Sequence, residues 1–341
     1  MRPVSSTREA GVLMRRAGAV ADGVVWALLA LLLAAPAALA QGSPAPAAPV
    51  PATDAPLQPA PAQEAARLYP FYKVGTAARV NPLGLFLNLT FQLRYRLYES
   101  DSLALKDNYI GIGPVAFASP AMMRGGLAVE LQPLSVLQLS ASYEGVRYMG
   151  GFDYLQSFPS PNSDASDDTL KALGEAGTNY SSSGTLLTLG ALLQGKVGPL
   201  AVRTAPRLFF FDQQLREGDR VFYEPVLDIT VPDSGWTLSN DADLLYLTGG
   251  FSLGLRYTAT HSYYGEEHFA PGETDLGLNP TIHRVGPFLA YTFQDDHSRL
   301  FQAPTVALVT QWFLSHRYRT GEEVSQALPW IALAFQFRGV P

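Results

Sequence analysis

The feature that most constrains this chain is a period-two alternation that returns again and again beyond residue 82. Over residues 83–98, Leu85, Leu87, Leu89, Phe91, Leu93, Tyr95 and Leu97 alternate with Phe86, Asn88, Thr90, Gln92, Arg94, Arg96 and Tyr98. Successive strand side chains point to opposite faces, so this segment carries one continuous apolar face and one mixed face. Residues 328–337 repeat the pattern, with Ile331, Leu333, Phe335 and Phe337 on one side and Ala332, Ala334, Gln336 and Arg338 on the other. The same signature recurs over 125–132, 137–144, 187–196, 200–211, 251–258, 284–293 and 305–317, with a weaker strand over 242–247.

A soluble sheet with one wet face also alternates, but its wet face carries dense charge. Here charged residues are only 16% of the chain and hydrophobic ones 47%, against roughly 25% charged in soluble domains. No element of the pattern supplies a second layer to cover the apolar faces. Beyond residue 40 no apolar run reaches the roughly 18 residues that a spanning helix needs. The net charge of −6 excludes the basic footprint of a nucleic-acid binder. With no cysteine, disulfide frameworks and thiolate metal sites are excluded.

The amino-terminal forty residues read as a secretory signal. Arg15 and Arg16 precede an apolar run from Val24 to Ala35, and Ala38-Leu39-Ala40 is a small-x-small cleavage site. The charged region is of ordinary length if translation starts at Met14. Residues 41–66 are rich in Pro and Ala and read as a disordered periplasmic linker. Residues 67–82, with Tyr69, Phe71 and Tyr72, form a pre-barrel segment that either enters the barrel mouth or lies at the membrane interface.

The connections alternate as well. Short turns fall near Pro133, near Gly198 and at Thr248-Gly249-Gly250, while long polar loops fall at 99–123, 149–183, 212–240, 262–280 and 319–327. Short turns at one end and long loops at the other characterise outer-membrane barrels. The chain thus resembles an integral outer-membrane β-barrel protein of a Gram-negative bacterium, over roughly residues 83–341 and at the level of pattern. The resemblance implies an all-β, transmembrane, antiparallel up-and-down barrel of about ten strands, within a range of about eight to twelve. Its last strand would close against 83–98, with the carboxyl terminus in the periplasm. It further implies that the barrel-assembly machinery reads the terminal strand through Phe335 and Phe337, although Arg338-Gly339-Val340-Pro341 extends beyond that signal. Outer-membrane lipid and lipopolysaccharide are the implied surroundings, with envelope proteins as further partners.

Parity places Arg94, Arg96, Lys196, Arg203, Arg207, Arg256, Arg284 and Arg338 in the lumen, with Arg124 and Arg317, and against them the acids Glu130 and Glu144. A positive wall in a narrow tube concentrates anions, whereas Arg paired with Glu in a barrel that fills itself is structural. Both readings stand. The loops are acidic: Asp153, Asp164, Asp167, Asp168 and Glu175; Glu217, Asp219, Glu224, Asp228 and Asp233; Glu266, Glu267, Glu273 and Asp275. They read as a solvated rim or as carboxylates that share divalent cations with lipopolysaccharide phosphates. His261, His268, His283 and His316 fall at the extracellular ends, and His316 shares the outward parity of Trp312 and Leu314. His-Glu-x-x-His does not occur, and no cofactor or metal motif is present. Tyr and Trp near strand ends read as interfacial girdles. Two functional classes follow: a non-enzymatic barrel, acting as a narrow or plugged pore or as an envelope scaffold, and a hydrolase (protease or lipase) with a His/acid site at the outer rim.

Overall fold

In the computed structural model, residues 67–102, 104–151, 155–293, 299–321 and 328–340 are described. The signal and linker expected over 1–66 lie outside them, as does His297.

The strands in chain order are β1 (Leu68–Val80), β2 (Gly84–Tyr95), β3 (Tyr109–Ala118), β4 (Met122–Leu134), β5 (Leu137–Tyr148), β6 (Ser157–Phe158), β7 (Ser182–Val197), β8 (Leu200–Gln213), β9 (Val221–Glu224), β10 (Ile229–Pro232), β11 (Ser234–Thr248), β12 (Phe251–Ser262), β13 (Ile282–Thr292), β14 (Gln302–Ser315) and β15 (Trp330–Gly339). One helix, α1 (Asp167–Glu175), lies between β6 and β7. Its first turn is capped by the Ser166 side chain, which accepts the Thr169 N–H.

Among the described residues, twelve strands form one closed barrel in the order β1-β15-β14-β13-β12-β11-β8-β7-β5-β4-β3-β2. Closure leaves no edge, which is the condition for backbone groups to cross hydrocarbon. The seam runs antiparallel from Tyr72↔Gly339 to Val80↔Ile331. Strands of 10 to 16 residues meet or exceed the roughly 9 to 11 that a tilted transmembrane strand needs. Outward residues such as Leu85, Phe91, Leu127, Leu255, Leu289 and Leu333 remain exposed in a belt. In water such a belt would cost roughly 25 cal/mol per Å², a cost that lipid removes.

Twelve strands correct the expectation of about ten, and the two additional ones are β1 and β3. β1 occupies the segment expected to precede the barrel, so the barrel begins at Leu68 rather than Leu83, and β15 closes against β1 rather than against 83–98. Its outward positions include Thr76 and Ala78 and its inward ones Gly75 and Ala77, so its hydropathy contrast is faint. β3 alternates Ile110 and Ile112 with Gly111 and Gly113, and carries Pro114, which ordinarily argues against a strand interior. The β2–β3 ladder indeed skips residues 91 and 92, opposite Gly113 and Pro114. With β1 in front, β2 runs the opposite way from that expected. The supposed outer loop 99–123 becomes a connection at the short-turn end (96–108), a strand, and a tight outer turn (119–121). The weak strand 242–247 is the lower half of the fifteen-residue β11.

The described parts of the remaining long connections, 149–151, 155–181, 214–233, 263–281 and 316–321, gather at the outer end. There β6, β9 and β10 make a separate three-stranded sheet.

Candidate functional site

The inner wall is laid out as a series of charged pairs. Near the short-turn end, the Arg94 guanidinium donates to Glu130 Oε2 at 3.0 Å and lies over the rings of Phe71 and Tyr109. The Tyr109 hydroxyl donates to the same carboxylate oxygen at 3.0 Å. Higher up, Arg124 and Glu144 approach to 3.3 Å, with Ser142 Oγ donating to Glu144 at 2.8 Å. Across the lumen, Asp243 is 1% exposed and receives Arg256 bidentately, at 2.7 and 3.0 Å, together with Nε of Arg203. Asp241 receives Arg207 at 3.1 Å and Thr258 Oγ1 at 2.7 Å. Bidentate pairing of this kind fixes geometry as well as charge. Asp241 and Asp243 are inward acids absent from the parity reading: Asp241 precedes the weak strand expected over 242–247, and Asp243 lies within it.

The other sequence candidates are dispersed. Arg284 is buried among the rings of Phe313 and Trp330 with its Nε unpartnered. Arg338 sits opposite Lys73 across the seam. Lys196 is exposed near the end of β7, and Arg96 lies past the end of β2 in the 96–108 connection. Arg317 lies beyond β14, where it donates to the carbonyls of Pro161 and Asn162, at 2.7 and 2.8 Å, and ties two outer loops together. Phe335 and Phe337 face outward; Phe337 packs 4.6 Å from Phe301 and edge-on to Tyr72 across the seam.

Above this wall the outer mouth is filled by a cork. Val221-Phe222-Tyr223-Glu224 and Ile229-Thr230-Val231-Pro232 pair as an antiparallel hairpin, and every one of these residues is buried. Both faces of the hairpin are covered. Phe222, Ile229 and Val231 pack against barrel residues Phe117, Tyr148, Leu186, Phe209 and Phe211, whereas Val221 and Tyr223 join Phe158 and Leu170 of the loop that carries α1. A strand that is apolar on both sides is the signature of two-sided burial. The reading of 212–240 as a solvated acidic loop is therefore corrected: Glu224 and Asp228 are interior residues.

Asp228 latches the cork. At φ +60° it occupies the left-handed position of the hairpin turn, a conformation Asp tolerates. Its carboxylate accepts Arg319 Nε at 2.6 Å and Nη2 at 2.8 Å, and the Tyr223 hydroxyl at 2.7 Å. Arg319 extends further to Asp167, at the start of α1, and to Asn81 in the β1–β2 turn, both at 2.9 Å. Burial alone would raise the Asp228 pKa; the contacts of His316 and the hydrogen bonds and charge of Arg319 outweigh it and hold the carboxyl far below the usual range. Glu224 behaves oppositely. Burial pushes its pKa up, against the Leu227 N–H it accepts at 2.6 Å and the charges of Arg124 and Arg79. The Tyr264 hydroxyl, pushed up to about 12 by burial, donates to the Thr230 carbonyl at 2.6 Å.

His316 does not face lipid. The chain turns inward after β14, and the ring is 5% exposed. Nδ1 accepts the Tyr318 N–H at 2.9 Å, which leaves the ring proton on Nε2, 3.0 Å from the Asp228 carbonyl. His268 is held the same way, between the Gly265 N–H and the Ser234 carbonyl. His283 bonds Tyr257 at 2.6 Å and His261 bonds Thr281 at 3.1 Å. His316 Nε2 also lies 3.5 Å from Asp228 Oδ2, in a buried setting rather than an open cleft, and among the described residues no group of three or more His, Asp or Glu could hold a metal ion.

A closed antiparallel barrel with an apolar outer belt, long loops at one end and a charged interior defines an integral protein of the Gram-negative outer membrane. No protein-family model matches the chain, and no curated protein does. Solved structures similar in fold include the translocator domain of autotransporter NalP from Neisseria meningitidis (10% identity, 80% of this chain and 86% of that one, TM-score 0.34). Acinetobacter baumannii OccAB1 is another (7% identity, 80% and 96%, TM-score 0.35), as is LpxR from Salmonella typhimurium (10% identity, 78% and 99%, TM-score 0.34). Likenesses this remote select no activity.

Proposed function

We propose that the protein is a non-enzymatic outer-membrane pore held shut by its own cork, with a lumen whose charge favours anions. The observation that carries this reading is the buried Asp228 latch, which joins the hairpin turn to Arg319 and thereby to α1 and the β1–β2 turn. Below the cork, Arg94, Arg124, Arg203, Arg207 and Arg256 are matched by four acids. Lys73, Arg284 and Arg338 form no ion pair among the described residues, which leaves a positive surplus along the path. In this reading, Phe335 and Phe337 on β15 serve recognition by the barrel-assembly machinery, and lipopolysaccharide surrounds the outer end.

The test is planar-bilayer conductance of the refolded chain. The intact protein is expected to give no steady steps. Replacing residues 215–231 with a short Gly/Ser linker is expected to open steps whose reversal potential in a salt gradient favours the anion. If that variant folds, by heat-modifiable migration in detergent gels, yet stays silent, the lumen is packed ballast and the scaffold reading replaces the pore.

A further inference from the structure

One cavity in the wall borders the cork's hairpin turn but has no part in the charged pairs of the lumen. It measures about 670 Å³ and lies at the outer end of the barrel, beside the β1–β2 turn. That volume is within the roughly 300–1,000 Å³ of small-molecule sites. Its lining comes from both faces of the wall. Ala78, Val80, Leu85 and Leu333 point outward, while Arg79 and Phe86 point inward, beside Pro225 of the cork. Strand residues of opposite parity bordering one space means that the space reaches from the lipid face into the barrel mouth. The rim is greasy: Leu83, Leu85 and Leu333 are exposed.

One polar group stands out in this apolar setting. Arg79 is only 5% exposed and forms no ion pair among the described residues. Two of its nitrogens donate to the carbonyls of Pro225 and Val226, but Nε has no partner. Only a glycine fits at position 84 beside that nitrogen: a Cβ there would lie 2.5 Å from Phe86 Cζ and 3.0 Å from Nε. This guanidinium meets two neutral carbonyls and the Phe86 ring, 4.9 Å away, and Glu224 feels its charge only from beyond ion-pair distance; a buried charge so placed is costly unless an anion completes it.

We propose that this cavity binds a single-chain anionic amphiphile, a long-chain fatty acid entering from the outer leaflet, with its carboxylate on Arg79 and its chain along Ala78, Leu83, Leu85 and Leu333. The cavity is too small for a multi-chain lipid, and the charge of Arg79 calls for an acid rather than an alcohol. The interaction with a carboxylate is charge-assisted and reads head-group chemistry directly.

The test uses the full chain in nanodiscs and radiolabelled palmitate, with hexadecanol as the uncharged competitor. Saturable palmitate binding is expected, with hexadecanol at least about tenfold weaker. Ala78→Trp, which fills the cavity from the lipid side, is expected to abolish binding while leaving heat-modifiable migration intact. Arg79→Gln is expected to bring palmitate down to the level of hexadecanol. Absence of saturable binding, unchanged binding in Ala78→Trp, or equal affinity for acid and alcohol in the native chain would each overturn the proposal. None of these readouts depends on whether the cork gates a pore.

Discussion

Asp243 shows how much of the lumen rests on single residues. Its carboxylate is 1% exposed and holds two guanidiniums, of which Arg256 is also largely buried. Removing the acid strands both charges inside the wall, a loss that runs to about 3 kcal/mol when a buried pair is broken from one side. Asp243→Asn is therefore expected to lower markedly the temperature at which unboiled protein shifts to unfolded migration in detergent gels. Arg207→Gln removes a cation that is 48% exposed from its pair with Asp241, and is expected to cost less than about 1 kcal/mol. The sequence hid Asp241 and Asp243 for a physical reason. Alternation breaks below them, because inward Leu245 and Leu247 pack with Phe288 and Val309 and so Leu244-Leu245-Tyr246-Leu247 reads as apolar on both faces.

At the scale of elements, strands were legible where lipid imposes large apolar side chains on one face. β2, β5, β12 and β15 met that condition, and their facing follows from parity alone. β1 and β3 did not, since small residues occupy both of their faces. The cork was illegible for the opposite reason: β9 and β10 are buried on two sides and carry no alternation. A clue lay in Val221-Phe222-Tyr223 and Ile229-Thr230-Val231, two apolar runs flanking a Pro within a supposedly solvated loop. Close strand approach adds a constraint that hydropathy cannot register. A Cβ on inward Gly126 would lie 1.9 Å from the Tyr143 carbonyl oxygen and 2.7 Å from Glu144 Cα. Gly126→Val is expected to prevent closure, so that refolded protein loses heat-modifiable migration. Its outward neighbour Gly125 has only an ordinary contact, 3.6 Å from the Val115 carbonyl, and Gly125→Val is expected to fold.

For the molecule as a whole, the barrel is a membrane object and the cork is a small soluble core set in its mouth, so acid acts on the two through different groups. Asp228 faces Arg319, His316 and Tyr223, with the charge of Arg284 nearby. Its folded pKa is depressed, so the stability it contributes is fully present above its unfolded value, about pH 4, and is lost as pH falls toward the folded one. Glu224 carries the opposite sign. Its folded pKa is raised, so its ionisation at neutral pH costs stability, and mild acid relieves that cost. Between neutrality and about pH 5 the cork therefore tightens, and release begins only below about pH 4. Conductance of the intact chain is expected to stay silent from pH 8 to about 5 and to show steps only in stronger acid. In Asp228→Asn the latch is already uncharged, and steps are expected at pH 7 with no further acid transition. Steps that appear in the native chain between pH 7 and 5 would instead mean that the Asp228–Arg319 pair is not the latch.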